Sequence, residues 1–153
     1  MSKKWDKRWL RMAREIASWS KDPSSKIGSV AVKDNRLVAH GYNGFPSVVE
    51  DRPEWLQDRD TKLRMMIHAE MNLILDASRT ARSLEGSTVY VYGLPPCSRC
   101  ATHLLGAGVV RIVYVDTRGS RVWLDELKMT IDIISKSKLS ASDVLTIYME
   151  EDL

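Results

Sequence analysis

Thr88-Val89-Tyr90-Val91-Tyr92-Gly93-Leu94-Pro95-Pro96-Cys97-Ser98-Arg99-Cys100 is the stretch on which the fold turns. Its first five residues are β-branched or aromatic and follow Gly86, so Thr88 to Tyr92 reads as a strand. Two prolines end that strand. Proline is tolerated at the first turn of a helix, where its missing N–H would have no partner anyway, so Ser98 to Leu105 reads as a helix, closed by Gly106 and Gly108. Val109 to Val115 follows, continuous enough in Val and Ile for a strand buried on both faces. Working outward, Ile27 to Val32 and Arg36 to Tyr42 read as strands around a Lys33-Asp34-Asn35 turn. Met65 to Leu75 reads as the approach to a helix and the helix itself, with Leu73 and Ile74 facing the core. Val122 to Ile134 predicts a further helix, and Val144 to Met149 a last strand before the acidic Glu150-Glu151-Asp152. This alternation predicts an α/β protein: a three-layer α-β-α sandwich around a mixed sheet of about five strands, part of it parallel.

The same stretch carries chemistry. Cys97 and Cys100 are the only cysteines among 153 residues, and upstream lies His68-Ala69-Glu70. One histidine and two thiolates supply three of the four ligands of tetrahedral zinc, leaving the fourth open to water as catalytic sites do. A redox pair or a zinc ribbon are the other readings of C-x-x-C, but a ribbon needs a second such pair and there is none. If His68 opens a helix and Cys97 and Cys100 share the first turn of another, two helix N-termini converge on the ion. Their positive ends favour thiolates. Glu70 is then free to act as something other than a ligand.

Ahead of this core, Trp5, Trp9, Met12, Ala13, Ile16 and Trp19 recur at three and four, predicting an amphipathic helix that ends at Asp22-Pro23. Its tryptophans read as a stripe facing the core or another subunit, in preference to a base-stacking surface. Gly41 to Pro46 reads as a turn, since Asn43 and Gly44 supply positive φ. Residues 48–63 mix charges of both signs and read as an insertion with a short helical piece. They are either a solvated surface or a lid that brings Arg52, Arg59 or Lys62 near an anion. His40 and His103 are not expected at the metal, because the His-Cys-Cys set is already complete.

With 44% hydrophobic and 28% charged residues the chain fits one domain, 1–153. No apolar run of membrane length and no apolar leader is visible, which predicts a cytoplasmic protein without membrane contact. A net charge of +3 suits an anionic small ligand and is too modest for long nucleic acid.

H-x-E followed by P-C-x-x-C is similar to the signature of zinc-dependent nucleobase deaminases. The runs Ser20-Lys21-Asp22-Pro23-Ser24-Ser25-Lys26-Ile27-Gly28 and Gly41-Tyr42-Asn43-Gly44-Phe45-Pro46 narrow the resemblance to the deoxycytidylate deaminases. Together these motifs thread the chain from about Ser20 to about Val115. The resemblance implies a cytidine deaminase-like fold and hydrolysis of deoxycytidine monophosphate (dCMP) to dUMP and ammonia, feeding thymidylate synthesis. It implies one catalytic Zn2+ per chain on His68, Cys97 and Cys100. Glu70 would take a proton from the water and pass it to N3 of cytosine while C4 is attacked. Ser24, Lys26 and Asn43 would contact the nucleotide, with the Ala69 amide and a carbonyl at Pro95 on the base. It also implies a hexamer activated by dCTP and inhibited by dTTP, with Mg2+ beside the triphosphate and Gly41, Tyr42, Gly44 and Phe45 at the effector site.

One departure stands out: many relatives carry an aromatic base-stacking residue after the strand matching Val109 to Val115, and here the run is Asp116-Thr117-Arg118-Gly119-Ser120. Either Trp123 substitutes or the wall is built differently. Two other readings stay open: a deaminase of another cytosine or guanine compound or of tRNA adenosine, and a non-catalytic zinc module. Glu70 argues against the latter, because a structural site needs no proton carrier.

Overall fold

In the computed structural model, which describes residues 2–118, 124–139 and 144–153, five strands form one mixed sheet in the order β2-β1-β3-β4-β5. They are β1 (Gly28–Lys33), β2 (Arg36–Tyr42), β3 (Thr88–Gly93), β4 (Arg111–Asp116) and β5 (Leu145–Tyr148). β1 runs antiparallel to β2 and to β3, whereas β3, β4 and β5 are parallel. The hairpin joining β1 to β2 turns on Asp34 and Asn35, both left-handed at φ 50° and 56°, as a two-residue turn matched to strand twist requires. The helices are α1 (Lys3–Ala17), α2 (Pro53–Gln57), α3 (Arg59–Met65), α4 (Ala69–Arg79), α5 (Ser98–Gly106) and α6 (Leu124–Ser135). The expected insertion 48–63 thus holds two short helices.

Strand alternation sends side chains to two apolar layers. Ala31, Val89, Val91, Ile112 and Tyr114 join Leu73, Leu104, Leu127 and Ile134 of α4, α5 and α6 in one core. Val30, Val32, Tyr90, Val113 and Val115 join Leu10, Ala13 and Ile16 of α1 in the other. This is the three-layer sandwich, with α1 on one face and α4, α5 and α6 on the other. β4 is buried along nearly its whole length, as a parallel strand between two helical layers should be.

α1 departs from the expected stripe. Its buried residues are Asp6, Leu10, Ala13, Ile16 and Ala17, while Trp19 is 48% exposed and Met12 is exposed too. Trp5 and Trp9 lie at the margin, stacked on each other at 6.2 Å. The inner face is rotated because a charged residue occupies its centre. Asp6, 1% exposed, accepts two hydrogen bonds of 2.8 Å from the Arg111 guanidinium. Tyr90 and Tyr148 donate to it at 2.8 and 3.1 Å. The helix also stops at Ala17, ahead of Asp22-Pro23. Asp22 instead folds the next loop, its Oδ1 accepting from the N–H groups of Ser24 and Ser25 at 2.7 and 3.2 Å.

Gly28 and Gly41 decide how closely helices meet the sheet. A Cβ on Gly28 would lie 2.1 Å from the Ala13 carbonyl of α1, and one on Gly41 would lie 2.3 Å from the Ala69 carbonyl of α4. Among the described residues no helix is long and apolar enough to cross a membrane.

Candidate active site

The register pairs Gly28 with Tyr42 and Tyr92, and Gly93 with Asp116. The start of β1 and the ends of β2, β3 and β4 therefore share one edge of the sheet, the edge at which α/β folds gather their ligands. Four loops meet there. The Gly41–Pro46 loop is pinned to the residue before His68 by a reciprocal pair, Gly44 N–H to Ile67 O at 3.1 Å and Ile67 N–H to Gly44 O at 2.9 Å. Asn72 of α4 donates to the Tyr42 carbonyl at 2.7 Å. The Ser24–Lys26 loop touches the start of the cysteine turn, where Gly93, at φ +121°, leaves room for the Lys26 carbonyl.

His68 is the N-cap of α4 and Cys97 the N-cap of α5, so both helices begin at the cluster. Gly41 and the Ser29 hydroxyl, which donates to the Ala69 carbonyl at 2.9 Å, seat the first turn of α4 on the sheet. His68 Nδ1 lies 3.6 Å from Cys97 Sγ and 3.4 Å from Cys100 Sγ. Zinc bonds of about 2.0–2.1 Å to nitrogen and 2.3 Å to sulfur, set at the tetrahedral angle, separate N and S by roughly 3.5 Å. The donor set and its spacing therefore fit that ion. His68, Cys97 and Cys100 are also the group of metal-ligating side chains that converges among the described residues.

Glu70 is the second residue of α4, in its first turn, and is 4% exposed. Burial pushes its carboxyl up to about 7, although its own backbone N–H, His68 and a bond from the Cys100 thiol pull the other way. Cys97 is pushed down to about 4, chiefly by the Cys100 thiol donating to it, against burial and with help from His68. Cys100 is raised by that same bond, by burial and by Glu70. His68 is raised by its contact with Cys97, with burial opposing. Crowding of anionic groups thus keeps Glu70 and Cys100 protonated beside the Cys97 thiolate, and a cation held there would favour their deprotonated forms.

The other expected residues fall in several places. Asn43 is buried and bound to its own chain: Oδ1 accepts from Ile27 N–H at 2.8 Å, and Nδ2 donates to the Ser25 carbonyl at 2.7 Å. It shapes the Ser24–Lys26 loop. Ser24 and Lys26 are exposed beside it. Gly41 and Phe45 are buried, whereas Tyr42 is exposed with its ring edge-on to Trp19. His40 pairs with Asp76 at 3.4 Å, and His103 sits one turn along α5 from Cys100, outside the cluster. Trp123, Gly119 and Ser120 lie outside the described residues.

Lys62 was one of three cations named for the insertion, whereas Glu126 and Thr130 were not anticipated at all. Lys62 of α3 donates to the Ser24 hydroxyl at 2.7 Å and pairs with Asp22 at 3.3 Å, so the insertion is fastened to the loop it overlies. Glu126 and Thr130 of α6 bond to the cysteine turn. Thr130 carried a signal: it occupies an apolar register between Leu127 and Ile134, at spacings of three and four.

A mixed five-stranded sheet, two helix N-termini and a His-Cys-Cys set beside a buried glutamate define the cytidine deaminase-like class. The family model for the cytidine and deoxycytidylate deaminase zinc-binding region matches residues 3–116, and the chain belongs to that family of hydrolytic deaminases. It is 34% identical to an uncharacterized deaminase in the luxG 3′ region of Aliivibrio fischeri, over 90% of this chain and 91% of the relative. It is 38% identical to a probable deoxycytidylate deaminase of Caenorhabditis elegans, over 80% of this chain and 62% of that protein. The fold also matches a crystal structure of dCMP deaminase from the cyanophage S-TIM5 in complex with dCMP and dUMP. That match has a TM-score of 0.69 at 20% identity and covers 97% and 98% of the two chains.

Proposed function

We propose that the protein hydrolyses dCMP to dUMP and ammonia, with zinc held by His68, Cys97 and Cys100 and with Glu70 as the acid/base group. The observation that carries this reading is the convergence of His68, Cys97 and Cys100 at the spacing of three zinc ligands, with the buried Glu70 carboxyl beside them. When bound, zinc acts as a Lewis acid that activates the attacking water. Glu70 accepts one proton of the water and passes it to N3 of the pyrimidine as the oxygen adds to C4, then carries the remaining hydroxyl proton to the exocyclic amine, so that the C4–N bond breaks and ammonia leaves. The Ala69 amide and the Pro95 carbonyl meet the base carbonyl and the exocyclic amine.

Choice of the monophosphate falls to the loop that Asn43 shapes. Ser24 and Lys26 lie on it, and Lys62 adds a second cation at the Ser24 hydroxyl. A charge-assisted hydrogen bond to phosphate contributes about 1.5–3 kcal/mol. Lys26→Ala is therefore expected to lower kcat/KM for dCMP roughly 10- to 100-fold while deoxycytidine turnover hardly changes. By family resemblance the reading extends to dCTP and dTTP as effectors near Gly41–Phe45, with Mg2+ beside the triphosphate, and to a hexamer. The exposed Trp19 and Tyr42 rings support a subunit contact there. Ammonia release measured across deoxycytidine, its mono- and triphosphate, cytidine monophosphate and a tRNA anticodon loop tests the substrate. The reading expects dCMP to lead, and preference for the nucleoside or the RNA would contradict it.

A further inference from the structure

The cysteine turn has few ways to hold itself. Pro95 and Pro96 offer no N–H, and β3 ends at Gly93, so sheet pairing cannot carry order as far as Cys97. Three anchors take its place. Thr117 closes the near end, donating to the Gly93 carbonyl from its N–H at 3.1 Å and its hydroxyl at 2.9 Å. The far end depends on α6. The Thr130 hydroxyl donates to the Pro96 carbonyl at 3.0 Å. Glu126 Oε2 accepts from the Ser98 N–H at 3.0 Å and from the Ser98 hydroxyl at 2.8 Å.

These two contacts flank Cys97 on either side in sequence, and they come from one helix face, since Glu126 and Thr130 stand four apart. Thr130 is fully buried, in a position where an aliphatic residue would pack as well, and its hydroxyl spends its hydrogen on the turn. α6 is itself fixed, because Leu127 and Ile134 lie in the core shared with β4. A rigid element therefore grips the backbone immediately before and after a metal ligand.

We propose that Thr130 and Glu126 are positioning residues for the metal: they hold the Pro96–Ser98 backbone so that Cys97 and Cys100 stay at ligand spacing from His68. This rests on the zinc reading above. Supporting groups of this kind, one bond behind the ligands, commonly change metal affinity or activity by 10- to 100-fold when removed.

The test compares the wild-type protein with Thr130→Val, Thr130→Ser and Glu126→Ala. Zn2+ affinity is read by competition with a chromophoric chelator, and the visible bands of bound Co2+ report ligand geometry. Thr130→Val and Glu126→Ala are each expected to weaken Zn2+ binding by about 10-fold or more and to shift or broaden the Co2+ bands. Thr130→Ser, which restores the donor, returns both to wild type. A lower melting temperature of the metal-free variants with unchanged affinity and unchanged Co2+ bands would make the residues merely structural and overturn the proposal. Should Thr130→Val not fold, Glu126→Ala, half-buried and at the start of its helix, decides by the same two readouts. Failure of the wild-type protein to bind the ion, or binding undiminished in Cys97→Ala, would remove the zinc reading itself and the proposal with it.

Discussion

Two buried carboxylates stand on opposite faces of the same sheet, and they behave in opposite ways. Asp6, on the α1 face, receives the Arg111 fork and two tyrosine hydroxyls. Burial alone would raise its carboxyl, but the bonds from Arg111 and Tyr90 outweigh that and hold it below the ordinary carboxylate value. Glu70, on the other face and lying deeper, has thiols and a histidine for company, and burial wins. Low exposure alone therefore does not decide what a carboxylate does. A carboxylate whose charge is matched ties elements together, here α1 to β3, β4 and β5. One whose charge is unmatched keeps a proton within reach, which is what an acid/base catalyst requires.

Breaking the matched cluster should give the largest loss of stability. Asp6→Ala strands the half-buried Arg111 guanidinium, and removing one partner of a buried pair costs about 3–5 kcal/mol. Urea unfolding is expected to show that loss, while the turnover of the folded fraction stays near wild type. Unchanged stability would mean that water reaches Arg111 and the cluster is not the tie described. The same pair sets a pH signature. Because the folded value of Asp6 lies below its ordinary 3.8, the unfolded chain binds the extra proton in that window, so stability is present above it and falls as pH drops through the folded value. Urea midpoints followed from pH 6 down to about pH 3 should fall more steeply for the wild type than for Asp6→Ala. Tyr148→Phe removes only the longest of the four bonds to Asp6, 3.1 Å. It should cost about 1 kcal/mol, seen as a small drop in melting temperature. A loss as large as that of Asp6→Ala would show that the tyrosine, and not the arginine, satisfies the charge.

How much of this was legible in the chain differs between the two faces for a physical reason. The Thr88–Cys100 stretch announced its strand, its break and its helix because each depends on neighbouring residues: β-branched alternation, two prolines, a glycine past the helix end. β2 and the Asp34-Asn35 turn were local in the same way. The cluster at His68, Cys97 and Cys100 was legible because few chemistries use those residue types at that spacing. The inner face of α1 was only partly legible because it centres on Asp6, whose partner Arg111 is 105 positions away, and a pattern of apolar residues cannot register a buried aspartate. Asn43 was legible as a turn residue, but its bonds to Ile27 and Ser25 were not, since they go to backbone groups that sequence does not display. Thr130 could have been noticed as a polar residue in a core register. Nothing local marked Glu126, whose partner lies on another element, and nothing local singled Lys62 out from Arg52 and Arg59.

The central claim is that the unmatched carboxylate is the working one and is not itself a metal ligand. Zinc content by elemental analysis and ammonia release from dCMP, measured together on Glu70→Ala, test it most directly. The account predicts about one zinc per chain with turnover reduced by roughly 100-fold or more. Loss of the zinc would place Glu70 among the ligands, and full turnover with zinc retained would put the proton transfer elsewhere; either result contradicts the account.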